Sequence, residues 1–261
     1  MLGWTDIHTH LNMLEDGVES GLTAAFANGV DRVITIGTHP EDLDVVYGLA
    51  KQYYPKVFCT LGIHPHDAKL YTEEVENKIV SLLPMPQVVA VGEIGLDYYY
   101  LNSDIETQKK VFRRQLEIAL QHKLPIEIHT RDAEADTIEI LKDVNPTWTG
   151  VLHCFTGTQY LADEALQLGL DISVSGVVTF KSADALRQVI QSVPLDRLHV
   201  ETDAPFLAPV PMRGRKNQPA FVVHTATFLA ALKGVELDAL KHQVHLNNIR
   251  TFPKLASVAI P

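Results

Sequence analysis

A short stretch near the N-terminus, WTDIHTH over Trp4–His10, reads as a buried strand ending in two histidines two positions apart. Side chains alternate along a strand, so His8 and His10 point the same way, with Asp6 expected behind them on that face. Two imidazoles side by side at a strand end can hold one metal ion. Four more residues of ligating type close other β-rich runs: Glu93 in VGEIGLDY, His129 in IEIHTRDA, His153 in VLHCFTG and Asp203 in VETDAP. Four imidazoles and two carboxylates exceed what one ion needs. Two ions sharing a carboxylate is the economical arrangement. His8, His10 and Asp203 would serve one, His129 and His153 the other, and Glu93 would bridge. A lone histidine at a strand end is more often a hydrogen-bonded structural residue. The recurrence of donors at the ends of separate strands carries the metal reading.

Such a convergence needs a frame that brings strand ends to one place. The β-rich runs are Trp4–His8, Arg32–Gly37, Val57–Ile63, Val88–Glu93, Pro125–His129, Gly150–Cys154, Leu170–Val174 and Leu198–Thr202. They are rich in Val and Ile, and several lack strict polar alternation, as buried parallel strands do. Amphipathic stretches lie between them. One spans Asp16–Asn28, and another opens at Pro40. Thr72 caps a third, and Ser103 with Glu106 forms a capping box for a fourth. Asp132, Thr158 and Ser182 are expected caps for three more, and Pro219–Lys233 and Leu237–Arg250 make the last two. Eight strand-then-helix units predict an α/β chain folded as a (β/α)8 TIM barrel, one domain over residues 1–261, with its site at the C-terminal rim. A doubly wound open sheet lacks support, because no G-x-G-x-x-G follows any strand.

Composition narrows the class of partner. Apolar residues make up 46 % of the 261 residues, enough for a large core. No apolar run reaches the roughly 20 residues of a bilayer span, so no membrane partner is expected. Neither a signal peptide nor an obligate protein partner is visible. Two distant cysteines, Cys59 and Cys154, build no disulfide framework, and a cytoplasmic setting is expected. With 32 acidic against 22 basic residues the formal charge is −10. A polyanion would therefore need metal ions and a local basic patch to be attracted.

The blocks DIHTH, GEIGLDY, IHTRDA, HCFTG and ETDAP resemble the successive signatures of the TatD family of metal-dependent hydrolases, amidohydrolase-type barrels. GIHPH at Gly62–His66, PMRGRKNQP at Pro211–Pro219 and the stretch Asn248–Phe252 are similar too. The resemblance implies a TIM barrel, a divalent-metal site using His8, His10, Glu93, His129, His153 and Asp203, and deoxyribonuclease activity, often exonucleolytic, usually with magnesium. Asn12 stands where family members commonly have Asp, and Gln218 where they commonly have Glu.

The chemistry expected of this set is hydrolysis. A metal pair makes hydroxide available near neutral pH and polarises a phosphoryl oxygen. Asp203 can take the water's proton, and Glu93 links the ions. Two divalent ions, Mg, Mn or Zn, are the expected cofactors, with imidazoles favouring Mn or Zn. The expected substrate is DNA or another phosphoester. A small amide, lactone or aminoacyl ester is the alternative. His64 and Arg213 are candidate substrate contacts, Arg213 within the basic cluster Arg213, Arg215 and Lys216 of the long segment after Asp203. One of Tyr98, Tyr99 and Tyr100 is a candidate base-stacking platform. His39 and His66 are expected to lie at the surface or behind the ligands. Lys109, Lys110, Arg113 and Arg114 are expected on an exposed helix face. Glu201 and His199 are expected as polar residues of the barrel interior, satisfied by partners such as Arg131.

Overall fold

The computed structural model describes residues 2–256. Each Val- and Ile-rich run is a strand: β1 Trp4–Thr9, β2 Val30–Gly37, β3 Val57–Leu61, β4 Val88–Asp97, β5 Ile126–Arg131, β6 Gly150–Leu152, β7 Asp171–Val174 and β8 Leu198–Val200. All neighbours pair in parallel, in the order of the chain. The last strand returns to the first. Asp203 N–H donates to the His8 carbonyl at 2.9 Å, and His10 N–H donates to the Ala204 carbonyl at 2.8 Å. The sheet is thus a TIM barrel, and its closing seam runs through two of the expected ligand segments.

The helices are α1 Val18–Ala27, α2 Leu43–Gln52, α3 Glu73–Leu82, α4 Ile105–His122, α5 Glu134–Val144, α6 Gln159–Gln167, α7 Asp184–Ser192, α8 Val222–Lys233 and α9 Leu237–Thr251. Thr72 and Thr158 cap α3 and α6 as expected, accepting from Val75 and Leu161 N–H. The cap of α4 is Asp104, which accepts from Thr107 N–H at 3.0 Å. Ser103 is buried and turned the other way, donating to the His66 carbonyl at 2.8 Å and accepting from Lys69 N–H at 3.1 Å. The proposed Ser103–Glu106 box therefore does not form. The α2 helix begins at Leu43 because the Asp42 carboxylate folds back onto the N–H groups of Thr38 and His39. Asp132 and Ser182 each lie one residue before the observed caps Ala133 and Ala183. Among the described residues no single helix is long and apolar enough to cross a membrane.

One apolar cluster fills the space between strands and helices. A second holds Ile7, Ile34, Ile36, Phe58, Val89 and Val151 with Phe252 and Leu255, from the turn after α9. Lys254 in that turn donates to the carbonyl of Val88, the first residue of β4, so this cluster closes the N-terminal end of the barrel. The polar counterpart at that end is Asp171, which opens β7. It is paired with Arg197 and Arg250 and accepts from His199 Nε2 at 2.9 Å and Thr251 Oγ1 at 2.8 Å. His199 is completed by Asn248 Oδ1 at 2.6 Å, so Arg131 is not its partner.

Burial alone would raise the Asp171 carboxyl, but His199, Arg197 and Thr251 hold it well below the usual carboxylate range. Its stabilising effect is full above that range and is lost as pH falls through the depressed folded value. Asp171→Asn is expected to destabilise the fold by about 2 kcal/mol at pH 7, because it removes the buried charged acceptor shared by His199, Thr251 and the partly exposed Arg197 and Arg250. Urea denaturation checks this. The deficit should shrink below pH ~4, where the wild-type carboxylate also takes up its proton in the unfolded chain.

Candidate metal centre

The strand ends meet above the barrel. At the end of β1, His8 Nε2 and His10 Nε2 stand 3.4 Å apart. Asp203 Oδ1 lies 3.5 Å from each. Three donors with edges of this length form one face of a tetrahedral site with bonds of about 2.1 Å, the length zinc makes with nitrogen and carboxylate oxygen. Asp203 reaches this place on a turned backbone, with φ at 56°. Non-glycine residues adopt that region at a cost, and such residues gather at functional sites.

Glu93 sits in the centre with its oxygens facing two ways. Oε2 lies 3.7 Å from His8 Nε2, on the side of the first triad. Oε1 lies 2.8 Å from His153 Nε2, 3.0 Å from His129 Nδ1 and 3.4 Å from His64 Nε2. The His153 ring stacks on His8 with centroids 3.9 Å apart, tying the two sides together. Next to His129, the fold requires Gly95. At its φ of 144° a Cβ would fall 1.9 Å from the His129 carbonyl oxygen.

Behind three of these imidazoles stand buried carboxylates that sequence reasoning did not assign to the site. Glu127 Oε1 lies 2.8 Å from His8 Nδ1, and its other oxygen accepts from Thr60 at 2.9 Å. Glu201 Oε1 lies 3.4 Å from His153 Nδ1, and Glu201 also accepts from Cys154 N–H at 2.8 Å and from Ser173. Asp97 Oδ2 lies 3.1 Å from His129 Nε2. For His8 and His129 the carboxylate accepts from the nearer ring nitrogen, which leaves the far nitrogen's lone pair aimed at the cluster, whereas His153 Nδ1 is buried near Glu201 without a hydrogen bond. Glu201 is therefore satisfied by Cys154 and Ser173, not by Arg131. Asp6, expected behind His8, instead accepts from Thr202 N–H at 2.9 Å and Thr202 Oγ1 at 2.6 Å. The β1–β2 register slips between Asp6 and Thr9, which breaks simple alternation there.

His64 differs from the others. Its Nδ1 accepts from His66 N–H at 3.1 Å, so in the neutral ring the proton sits on Nε2, facing Glu93. It lies close enough to Glu93 and His129 to complete a donor triangle, yet this tautomer makes it a hydrogen-bond donor.

Burial opposes charge on all these groups. Glu93 is nonetheless held well below the ordinary carboxylate range by His153, His64 and His129. Asp203 is lowered by His10 and His8 against the same opposition. Burial and His153 push His8 down, but Glu127 and Glu93 prevail and raise it to about 9. His153 is raised by Glu93 and Glu201, and His129 by Asp97 and Glu93, again against burial. His64 goes the other way, pushed by burial down to about 4. A pocket that draws positive charge onto its imidazoles also favours divalent cations, which compete with protons for the same lone pairs. The donor set fits a metal.

The cluster floors a cavity of about 530 Å³. His10, His64, His66, Arg131, Thr156 and Phe206 contribute to its walls. Arg213 does not line it. Its guanidinium lies 3.9 Å from the Phe180 ring centroid and donates to the Ala208 carbonyl at 3.3 Å. Lys216 pairs with Glu15 at 2.7 Å. His66 Nε2 donates to the Asp97 carboxylate at 3.0 Å, and His39 accepts from Glu41 N–H at 3.2 Å. Tyr98 is tied to Asp136 through its hydroxyl at 2.6 Å and does not line the cavity. Lys109 and Arg113 are engaged on the outside by Asp136 and Asp143.

Residues 5–253 match the sequence pattern of the family described as TatD related DNase. The chain belongs to this family. It is 40 % identical over 253 residues to the uncharacterized metal-dependent hydrolase YcfH of Escherichia coli strain K12, covering 95 % of this chain and 94 % of that protein. It is 36 % identical over 230 residues to a 3'-5' ssDNA/RNA exonuclease TatD of Erwinia tasmaniensis, covering 86 % of this chain and 89 % of that one. The crystal structure of YJJV, a TatD homologue from Escherichia coli K12, superposes with a TM-score of 0.89 at 30 % identity, over 97 % of this chain and 99 % of that one. The chain is thus a TatD-type metal-dependent hydrolase. Asn12 lies in the turn Leu11–Met13 just after His10, and its Oδ1 is buried without a hydrogen-bond partner. Gln218 follows the buried Asn217, whose Nδ2 donates to the carbonyls of Thr202 and Phe206 and so ties down the loop after Asp203.

Proposed function

We propose that this chain is a divalent-metal-dependent phosphodiester hydrolase, a deoxyribonuclease that removes nucleotides from DNA ends or single strands. The observation that supports it most is Glu93, whose two oxygens face two separate donor sets. In this reading His8, His10 and Asp203 hold one ion, His129 and His153 the other, and Glu93 joins them. Bound there, two divalent ions supply a water of lowered pKa and a Lewis acid for the phosphoryl oxygen. Asp203 takes the proton of the attacking water and returns it to the leaving oxygen. Glu127 and Asp97 keep His8 and His129 turned and in the ligating tautomer, and the Glu201 carboxylate stands beside His153. His64 offers its Nε2 proton to the anionic substrate. The imidazole-rich set favours Zn or Mn over Mg. The family membership and the Erwinia relative's name support a nucleic-acid substrate. Two free cysteines agree with a cytoplasmic setting. A second reading, hydrolysis of a small amide, lactone or aminoacyl ester, is favoured by the apolar side chains Met13, Val177, Phe206 and Leu207 on the cavity wall.

An end-labelled single-stranded oligonucleotide incubated with Mn-loaded protein should shorten stepwise from one end. EDTA should stop it and excess Mn restore it. An intact oligonucleotide with fully metallated protein, alongside turnover of a lactone or amide, would replace this reading with the second.

A further inference from the structure

We propose that Arg131 is the anchor for a second phosphate of the substrate, one nucleotide step from the phosphate at the ligand cluster. This rests on the phosphodiester reading above and adds to it the part of the substrate that is recognised. Among the described residues Arg131 is the only lysine or arginine on the cavity wall. Among the described residues no carboxylate pairs with it, although the chain carries 32 acidic residues. Its guanidinium is held in place by rings: its Cζ lies 4.0 Å from the centroid of Tyr99 and 5.0 Å from that of Tyr100. The backbone that carries those two tyrosines is held in turn, since Asp97 Oδ1 accepts from their N–H groups at 2.9 and 3.0 Å. Stacking orients the plane of an arginine and leaves its edge donors available, which is the geometry that takes a phosphate in two hydrogen bonds.

Register sets the height of the anchor. The β4–β5 ladder runs unbroken from Ile94↔Ile128 to Asp97↔Arg131, so Glu127, His129 and Arg131 share one face of β5. Glu127 lies beneath His8, His129 is level with Glu93, and Arg131 is one step above, exposed at the rim. Two strand positions span about 6.6 Å. That is the order of the separation between neighbouring phosphates along an extended strand of nucleic acid. A chain with one phosphate at the cluster therefore presents the next to the guanidinium.

The test is calorimetry on metal-loaded protein with two soluble probes, thymidine 5'-monophosphate and thymidine 3',5'-bisphosphate. Wild type should bind the bisphosphate about tenfold more tightly. Arg131→Gln should erase that advantage with the metal content and melting temperature of wild type. Arg131→Lys should restore part of it. The assignment is overturned if wild type does not discriminate, if Arg131→Gln keeps the tenfold preference, or if it weakens both probes equally. Oligonucleotide cleavage is read separately. Its absence with the bisphosphate preference intact would remove the nuclease reading and leave the anchor, whereas cleavage without the preference would do the reverse.

Discussion

Replacing Glu93 by alanine is expected to lower turnover of any substrate by about a thousandfold or more, the equivalent of several kcal/mol of lost charge stabilisation at 1.36 kcal/mol per tenfold. The reason is geometric. Oε1 of this one carboxylate meets three imidazole nitrogens within 3.4 Å, and Oε2 faces the His8 side. Without it, two donor sets lose their common member, and the imidazoles lose the negative charge that offsets their burial. Elemental analysis should show metal content falling from two ions per chain to one or fewer. The fold should persist, because the apolar floor built on Phe58 and Phe252 does not include Glu93. A Glu93→Ala protein with full metal content and ordinary turnover would remove the bridging role.

Asp203→Asn should separate holding a metal from moving a proton. The amide keeps the size of the carboxylate and an oxygen near His8 and His10, but it cannot accept a proton. Turnover is expected to fall by about 10²–10⁴-fold, the range of a lost general base. Metal content should change far less than turnover, and KM should stay within about threefold. The acid limb of the pH–rate profile, which reports protonation of the base, should flatten. Unchanged turnover, or a loss matched in full by lost metal, would mean that Asp203 serves as a ligand alone.

Much of this architecture was legible in the residues. Runs such as VVAVGE and IEIH combine β-branched interiors with a polar residue at the end, and in a barrel all such ends lie on one rim. Position along a strand was therefore enough to gather His8, His10, Glu93, His129, His153 and Asp203. The supporting carboxylates were harder to see. Glu127 sits two residues before His129 and reads as ordinary strand alternation until its height places it under His8. Asp97 was hidden because β4 runs four residues beyond Glu93, farther than the apolar run that marks it. The tautomers of His8 and His129 depend on carboxylates from other strands, so they could not come from local spacing, whereas that of His64 is set two residues away by the His66 N–H. Arg131, expected inward beside Glu201 and His199, closes its strand at the rim, where its neighbours are Tyr99 and Tyr100. The basic cluster at Arg213 drew attention by composition. In the fold, stacking on Phe180 takes its guanidinium off the cavity wall.

The central claim is that one carboxylate and its surrounding imidazoles hold a pair of divalent ions. Crystals grown with Mn and measured at its absorption edge test it most directly. The anomalous map should show two peaks in the cavity, one against His8, His10 and Asp203, the other against His129 and His153, with Glu93 touching both. A map with no peak in the cavity, or with Mn bound only at surface carboxylates, would contradict it.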